Sequence, residues 1–310
     1  MISELFSATV LIGILASGIR LATPYLYAAI GETFGQRSGV LNLGVEGQML
    51  LGAFAAFYVA LVTGNLWLGV LAALIVGAVM GLAMAFVTVN LHAQQGISGI
   101  GFYLFGLGMS DLLFQMLLGK IVTINGFAKI NIPVLSAIPG VGDIFFKQSL
   151  LVYGAYLLVP LAWFVLNKTT LGLKIRSVGE NPDAADSLGV SVARVRYFTI
   201  ILGGALSGIA GASLSISLLN VFQQNMTSGL GFIAVALVYF GAWRPAGVLI
   251  GALLFSMVNS LQLWIQVLGL PVPSDIAVMM PYVLTIIVLV VSVSRVRAPS
   301  ALTRPFEREE

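Results

Sequence analysis

The sequence predicts an all-α polytopic membrane protein of about nine transmembrane segments, including broken or half-length helices, with a short helix projecting from one face. Three observations predict it. Hydrophobic residues make up 59 % of the 310 and charged residues only 9 %, against about a quarter charged in soluble domains. Mean hydropathy is +1.02. Apolar runs recur at the roughly 20 residues that a helix needs to cross the hydrocarbon. The length suits one membrane domain, residues 1–310, with no room for a soluble module.

Composition also removes whole classes of chemistry. Without cysteine there is no disulfide, thiolate metal site or Cys nucleophile. The single His92 reads as an interfacial helix-end residue, and no Ser/His/Asp arrangement survives with Asp111 as its only nearby carboxylate. A G-x-x-x-x-G-K-[ST] loop is absent. Neither a catalytic residue nor a cofactor or metal ligand is therefore expected in this chain. Net charge is only +3, and the basic residues cluster at membrane faces. That pattern points to a lipid bilayer as partner and away from nucleic acid.

The apolar segments run, in order, Leu5–Ile30, Leu43–Val62, Leu66–Leu91, Ile97–Leu118, Ser149–Leu166, Tyr197–Leu219, Gly231–Trp243, Ala246–Leu268 and Ile276–Ser294. The first lacks the basic flank of a cleaved signal and reads as a retained span. Trp67, Trp163, Trp243 and Trp264 fall near segment ends, where an interfacial aromatic belt is expected. Gly77/Gly81, Gly204/Gly208 and Gly247/Gly251 carry the small-xxx-small spacing of close helix contacts. Gly99, Gly101, Gly106 and Gly108 read as packing glycines inside the fourth segment.

Between the fifth and sixth segments lies a polar island, Lys168–Arg196, carrying Lys168, Lys174, Arg176, Glu180, Asp183, Asp186, Arg194 and Arg196. It must sit in water, and its basic residues mark that water as cytoplasmic. Its middle reads as a short helix. Asn181 is the N-cap, Pro182 the first helical residue, Asp183 faces the positive end, and Gly189 is the stop. Such a helix is a handle for a partner; the plain alternative is a solvated loop. Alternation then puts the N-terminus outside and the tail 295–310 inside. Arg37, Arg244, Arg295, Arg297, Arg304 and Arg308 join the inside, and Lys120, Lys129 and Lys147 lie in the outside loop Gly119–Gln148.

Two segments are defective as simple spans. Gly31–Gly52 places Glu32, Gln36, Arg37, Asn42, Glu46 and Gln48 where a helix is starting. Asn220–Gly247 offers a short apolar run between a polar approach and a Trp-Arg-Pro break. Short, Gly- or Pro-interrupted segments in the two halves are the best sequence pointer to a transport site. Arg20, Glu46 and Asp111 fall within or at the edge of spans, where a charge needs a partner or a water-filled cavity. They read either as a pathway or as an interhelical pair of Arg20 with Glu46 or Asp111. Asn42, Glu46 and Gln48, with Gln94, Gln95 and Ser98 opening the fourth span and Asn225 approaching the seventh, are the candidate path lining. Uncharged amides and hydroxyls of this kind suit a polar neutral solute, and equally suit ordinary helix ends.

Three stretches resemble a known family. Gly39-Val40-Leu41-Asn42-Leu43-Gly44-Val45-Glu46-Gly47-Gln48-Met49, then Gly179-Glu180-Asn181-Pro182-Asp183-Ala184-Ala185, then Phe240-Gly241-Ala242-Trp243-Arg244-Pro245 are similar, in that order, to the permease subunits of bacterial ABC importers. The similar group is the nucleoside and simple-sugar permeases, related to those for ribose and branched-chain amino acids. The resemblance implies a multi-pass protein of the bacterial cytoplasmic membrane that imports nucleosides or simple sugars by alternating access. It implies a homologous second permease, forming a heterodimer, and an extracytoplasmic substrate-binding protein. It also implies cytoplasmic ATPase subunits that hold the ATP and Mg. Gly179, Glu180, Asn181, Asp183, Ala184 and Ala185 would form the coupling helix, with Lys174, Arg176, Arg194 and Arg196 holding it at the membrane surface. The Asn42–Gln48 stretch would start the broken helix. The alternative reading is an ion- or proton-coupled secondary transporter using Glu46 or Asp111.

Overall fold

The computed structural model describes residues 7–133, 135–269, 273–292 and 297–307. The helices are α1 (Ala8–Arg37), α2 (Val45–Thr63), α3 (Leu66–Asn90), α4 (Gln95–Leu117), the short α5 (Val141–Phe145), α6 (Leu150–Lys168), α7 (Thr170–Glu180), α8 (Pro182–Ser187), α9 (Val192–Leu218), α10 (Leu230–Phe240), α11 (Pro245–Val267) and α12 (Ser274–Ser292). Strands β1 (Lys129–Asn131) and β2 (Lys147–Ser149) pair antiparallel, with Ile130 opposite Gln148. Seven helices (α1, α2, α3, α4, α6, α9 and α11) are long and apolar enough to cross a membrane, and α10 is a shorter apolar one. Each of the nine segments read from the sequence becomes a helix. The boundaries shift most where polar residues continue a helix: α1 runs through Glu32 and Gln36 to Arg37, and α9 starts at Val192. Arg295 and Arg308 lie outside the described residues.

Helix α9 is the axis of the bundle. Its glycines let backbones approach where no hydrophobic drive between helices exists in lipid. A Cβ on Gly204 would stand 2.3 Å from the carbonyl oxygen of Gly77, and one on Gly208 would stand 2.1 Å from that of Ala73. The two small-xxx-small pairs of α3 and α9 therefore face each other. Gly247 packs instead on Gly241, within the turn before α11. In α4, Gly99 packs on Leu43 and Gly106 on Gly47, whereas Gly101 and Gly108 face open space and pack against nothing. Exposed apolar side chains such as Leu71, Ile75, Val79 and Leu82 on α3 stripe the outer surface, as lipid contact requires.

The two faces of the bundle are distinguishable. On one, α1 ends beside α7, α10 and the tail: the Arg37 Nε donates to the Trp243 carbonyl at 2.9 Å, and the Ala301 N–H donates to the Gly179 carbonyl at 2.9 Å. On the other, the α4–α6 loop folds over the bundle, with Thr123 bridging Val221 and Phe127 edge-on to Trp67.

Candidate functional site

Helix α10 has 11 residues, about 16 Å of rise, half of the roughly 30 Å hydrocarbon thickness. Its far end is level with Trp243 at the basic face, so its first turn begins inside the membrane. The N–H groups of that turn need partners there. Glu46, in the first turn of α2, supplies them. Its Oε1 accepts from the Thr227 hydroxyl at 2.6 Å and from the Gly229 N–H at 2.7 Å, and its Oε2 accepts from the Gly231 N–H at 2.6 Å. The approach to α10 is irregular: Asn220, Asn225, Ser228 and Gly229 all adopt positive φ.

Around Glu46 the other polar residues of the 31–52 stretch close into a buried knot. Glu32 Oε1 accepts from the Gln36 amide and the Asn42 N–H, both at 3.0 Å. The Asn42 amide donates to Gln48 Oε1 at 3.1 Å, while its Oδ1 accepts from the Gly44 N–H at 2.9 Å. Gln95 Oε1 takes the Leu41 N–H at 2.8 Å, and Gln36 Oε1 takes the Trp243 indole N–H at 2.7 Å. Trp243 is only 3 % exposed, so it belongs to this knot and not to an aromatic belt.

Beside the α10 approach lies a cavity of about 190 Å³. Tyr25, Thr227, Ser228, Phe255, Asn259 and Gln262 line it, with Tyr282 of α12. Tyr25 and Phe255 meet edge to face, centroids 5.2 Å apart.

On the basic face, α7 and α8 form a projecting corner. Asn181 caps α8 through a 3.0 Å bond from the Ala184 N–H, Pro182 is its first residue, and Gly189 follows with φ +83°. The corner is anchored by close contact: a Cβ on Gly179 would stand 2.0 Å from the Arg37 carbonyl oxygen. The tail straps it, since Ala301 bonds Gly179, Thr303 N–H bonds the Gly39 carbonyl at 3.1 Å, and the Ser300 hydroxyl reaches Glu180 Oε2 at 3.1 Å. A notch of about 350 Å³ separates α8 from the tail, lined by Glu180, Asn181 and Asp183 on one side and Arg304 and Phe306 on the other.

Of the predicted corner residues, Glu180, Asn181, Asp183 and Ala184 are exposed, but Gly179 and Ala185 are buried and serve as anchors. Lys174 and Arg194 are exposed, whereas Arg196 is 2 % exposed and its Nε donates to the Ser38 carbonyl. It braces the α1–α2 turn instead of the membrane surface. Of the predicted path residues, Asn42, Glu46, Gln48 and Gln95 fall in the knot, Gln94 and Asn225 are exposed, and Ser98 opens on an outer apolar groove beside Phe102 and Phe105. The Arg20 pair does not form: its Nε donates to Ala16 within α1, and Asp111 keeps a buried Oδ1 without a hydrogen-bond partner. Sequence reading missed three features. Glu32 is a second buried carboxylate, Leu188 stands 84 % exposed at the end of α8, and the cavity gathers α1, α11 and α12. The exposed Leu188 was visible only as a leucine beside a Gly stop.

Comparison with known proteins agrees with this architecture. The protein TsgC13 of Haloferax volcanii, provisionally named a glucose ABC transporter permease, is 38 % identical over 96 % of this chain and 98 % of its own. The nucleoside ABC transporter permease NupC of Lactococcus lactis is 38 % identical over 93 % and 94 %. The guanosine ABC transporter permease NupQ of Bacillus subtilis is 36 % identical over 92 % and 93 %. No solved structure matches significantly. The sequence signature described as branched-chain amino acid transport system / permease component matches residues 14–289, and the chain belongs to that permease family.

Proposed function

We propose that this chain is the permease subunit of an ATP-driven importer for nucleosides or related simple sugars in the cytoplasmic membrane of a bacterium. It works by alternating access beside a homologous second permease, with ATPase subunits on the basic, cytoplasmic face and a binding protein on the other. ATP and Mg belong to the ATPases, and this chain holds no catalytic group. The observation that carries the reading is the projecting α7–α8 corner, anchored by Gly179 on the end of α1. A carrier driven by its own ion site has little use for such a handle. Force applied to α8 passes into α7, where Gly179 meets Arg37 and Gly39, and a few residues further along the chain Asn42 bonds to Glu32 and Glu46 to the start of α10. A proton- or cation-binding role for Glu46 draws no support from the geometry, because both its oxygens already hold donors.

The test is ATP-dependent uptake of labelled nucleosides and simple sugars by vesicles carrying this chain with its partner subunits. The charge-reversed corner, Glu180→Lys with Asp183→Lys, is expected to insert normally and to abolish uptake. Uptake that persists without ATPases and follows a proton or sodium gradient overturns the proposal.

A further inference from the structure

Resting on the importer reading above, we infer that the cavity at Tyr25 is a subsite for the flat, uncharged ring of a nucleobase, gripped by aromatic surfaces and by the free amides of Asn259 and Gln262. The first argument is hydrogen-bond satisfaction. Within the described residues, the side chains of Asn259 and Gln262 and the hydroxyl of Tyr25 have no hydrogen-bond partner in the protein, though Gln262 is nine-tenths buried. In the nearby knot every amide oxygen is paired, and only the amide nitrogens of Gln48 and Gln95 are bare. Buried polar groups at membrane depth are costly when bare, and a lipid tail offers them nothing. Polar groups left open in a cavity are ready to meet a polar solute. An amide offers a donor and an acceptor side by side, which matches the heteroatom edge of a base.

The second argument is charge. Among the described residues, no charged side chain lines the cavity. The positive N-terminal end of α10 would ordinarily attract a phosphate or carboxylate, but Glu46 occupies it with both oxygens. An anionic solute finds no counter-charge there, and a neutral one loses nothing. The third is shape. At about 190 Å³ the space is below the roughly 300–1,000 Å³ of whole ligand sites, so it holds one ring system while the rest of the solute lies across its open side. Tyr25, Phe255 and Tyr282 supply π-faces and edges on which a flat ring packs.

The test is photolabelling of the purified complex of permeases and ATPases with 8-azidoadenosine, an uncharged nucleoside. Adenosine, ribose and adenosine monophosphate serve as competitors. Label is expected on the 226–233 stretch, α11 or α12, displaced by adenosine and not by ribose or the monophosphate. In Asn259→Ala and in Gln262→Leu, adenosine is expected to compete about tenfold less well, the loss of one hydrogen bond, with the melting temperature in detergent unchanged. Displacement by ribose or the monophosphate as effective as by adenosine overturns the inference, as does label elsewhere in the chain or unchanged competition in both variants. If a variant fails to fold, the wild-type competition order decides alone. Labelling needs no ATP-driven uptake, so a failure of the importer reading registers separately, as absent ATP-dependent uptake in wild-type vesicles.

Discussion

The carboxylate of Glu46 and the backbone N–H of Gly231 meet at 2.6 Å, joining the first turn of α2 to the first turn of α10. A Cβ on Gly231 would stand 2.6 Å from the Glu46 Cα, so the two helix starts are in backbone contact, and only glycine allows the approach. Glu46→Ala strands two N–H groups and a hydroxyl. Each stranded group costs about 1–3 kcal/mol, so a loss of about 3 kcal/mol or more is expected, read as a lowered melting temperature in detergent. Glu46→Gln keeps one acceptor oxygen and loses less.

The α3–α9 contact gives a second, sharper contrast. Gly204→Ala drives a methyl into the Gly77 carbonyl and is expected to destabilise by about 2 kcal/mol. Gly101→Ala on α4 meets nothing within 4 Å and, within a helix, is expected to stabilise by about 0.5–1 kcal/mol. Thermal unfolding of both variants in the same detergent checks the pair, and equal effects would refute the packing.

Trp243→Phe removes the indole donor from the buried Gln36 carbonyl. Loss of about 1–2 kcal/mol is expected, with the ring packing on Tyr239 retained. Proteolysis of the α10–α11 turn should quicken accordingly; an unchanged rate would show that the bond holds nothing.

Leu188 is the most exposed large apolar side chain of the projecting corner. Burial of a leucine is worth about 1.5–3 kcal/mol, so on the importer reading proposed above Leu188→Glu is expected to weaken ATPase binding at least about tenfold. Because the side chain touches little in this chain, its melting temperature stays put. Pull-down of ATPase subunits by the solubilised permease measures the first, and a thermal shift the second.

What was legible in the sequence follows from how local each cause is. Span lengths, the Asn181 cap and the Gly77/Gly81 and Gly204/Gly208 spacings are set within a turn or two, and the structure repeats them. The Glu46 cap joins residues 185 apart, and nothing near Glu46 says that its partners are backbone groups of another helix. Polar residues in the Asn42–Gln48 stretch read as a path lining, and nothing in the sequence signals that they also tie the α1–α2 turn together. Arg196 misled for the same reason. An arginine at a span edge ordinarily reaches water, and only the Ser38 carbonyl from a distant turn draws this one inward. The cavity was hidden because Tyr25, Asn259 and Gln262 are unremarkable within their own helices and converge only through packing.

The strap over the corner has a consequence for biogenesis. Ala301 and Thr303, which hold Gly179 and Gly39, are joined to the chain long after the corner that they clasp. The α7–α8 corner therefore stays unclasped until they are made. A nascent chain presents α8 without its latch for as long as the stretch between them is still being joined.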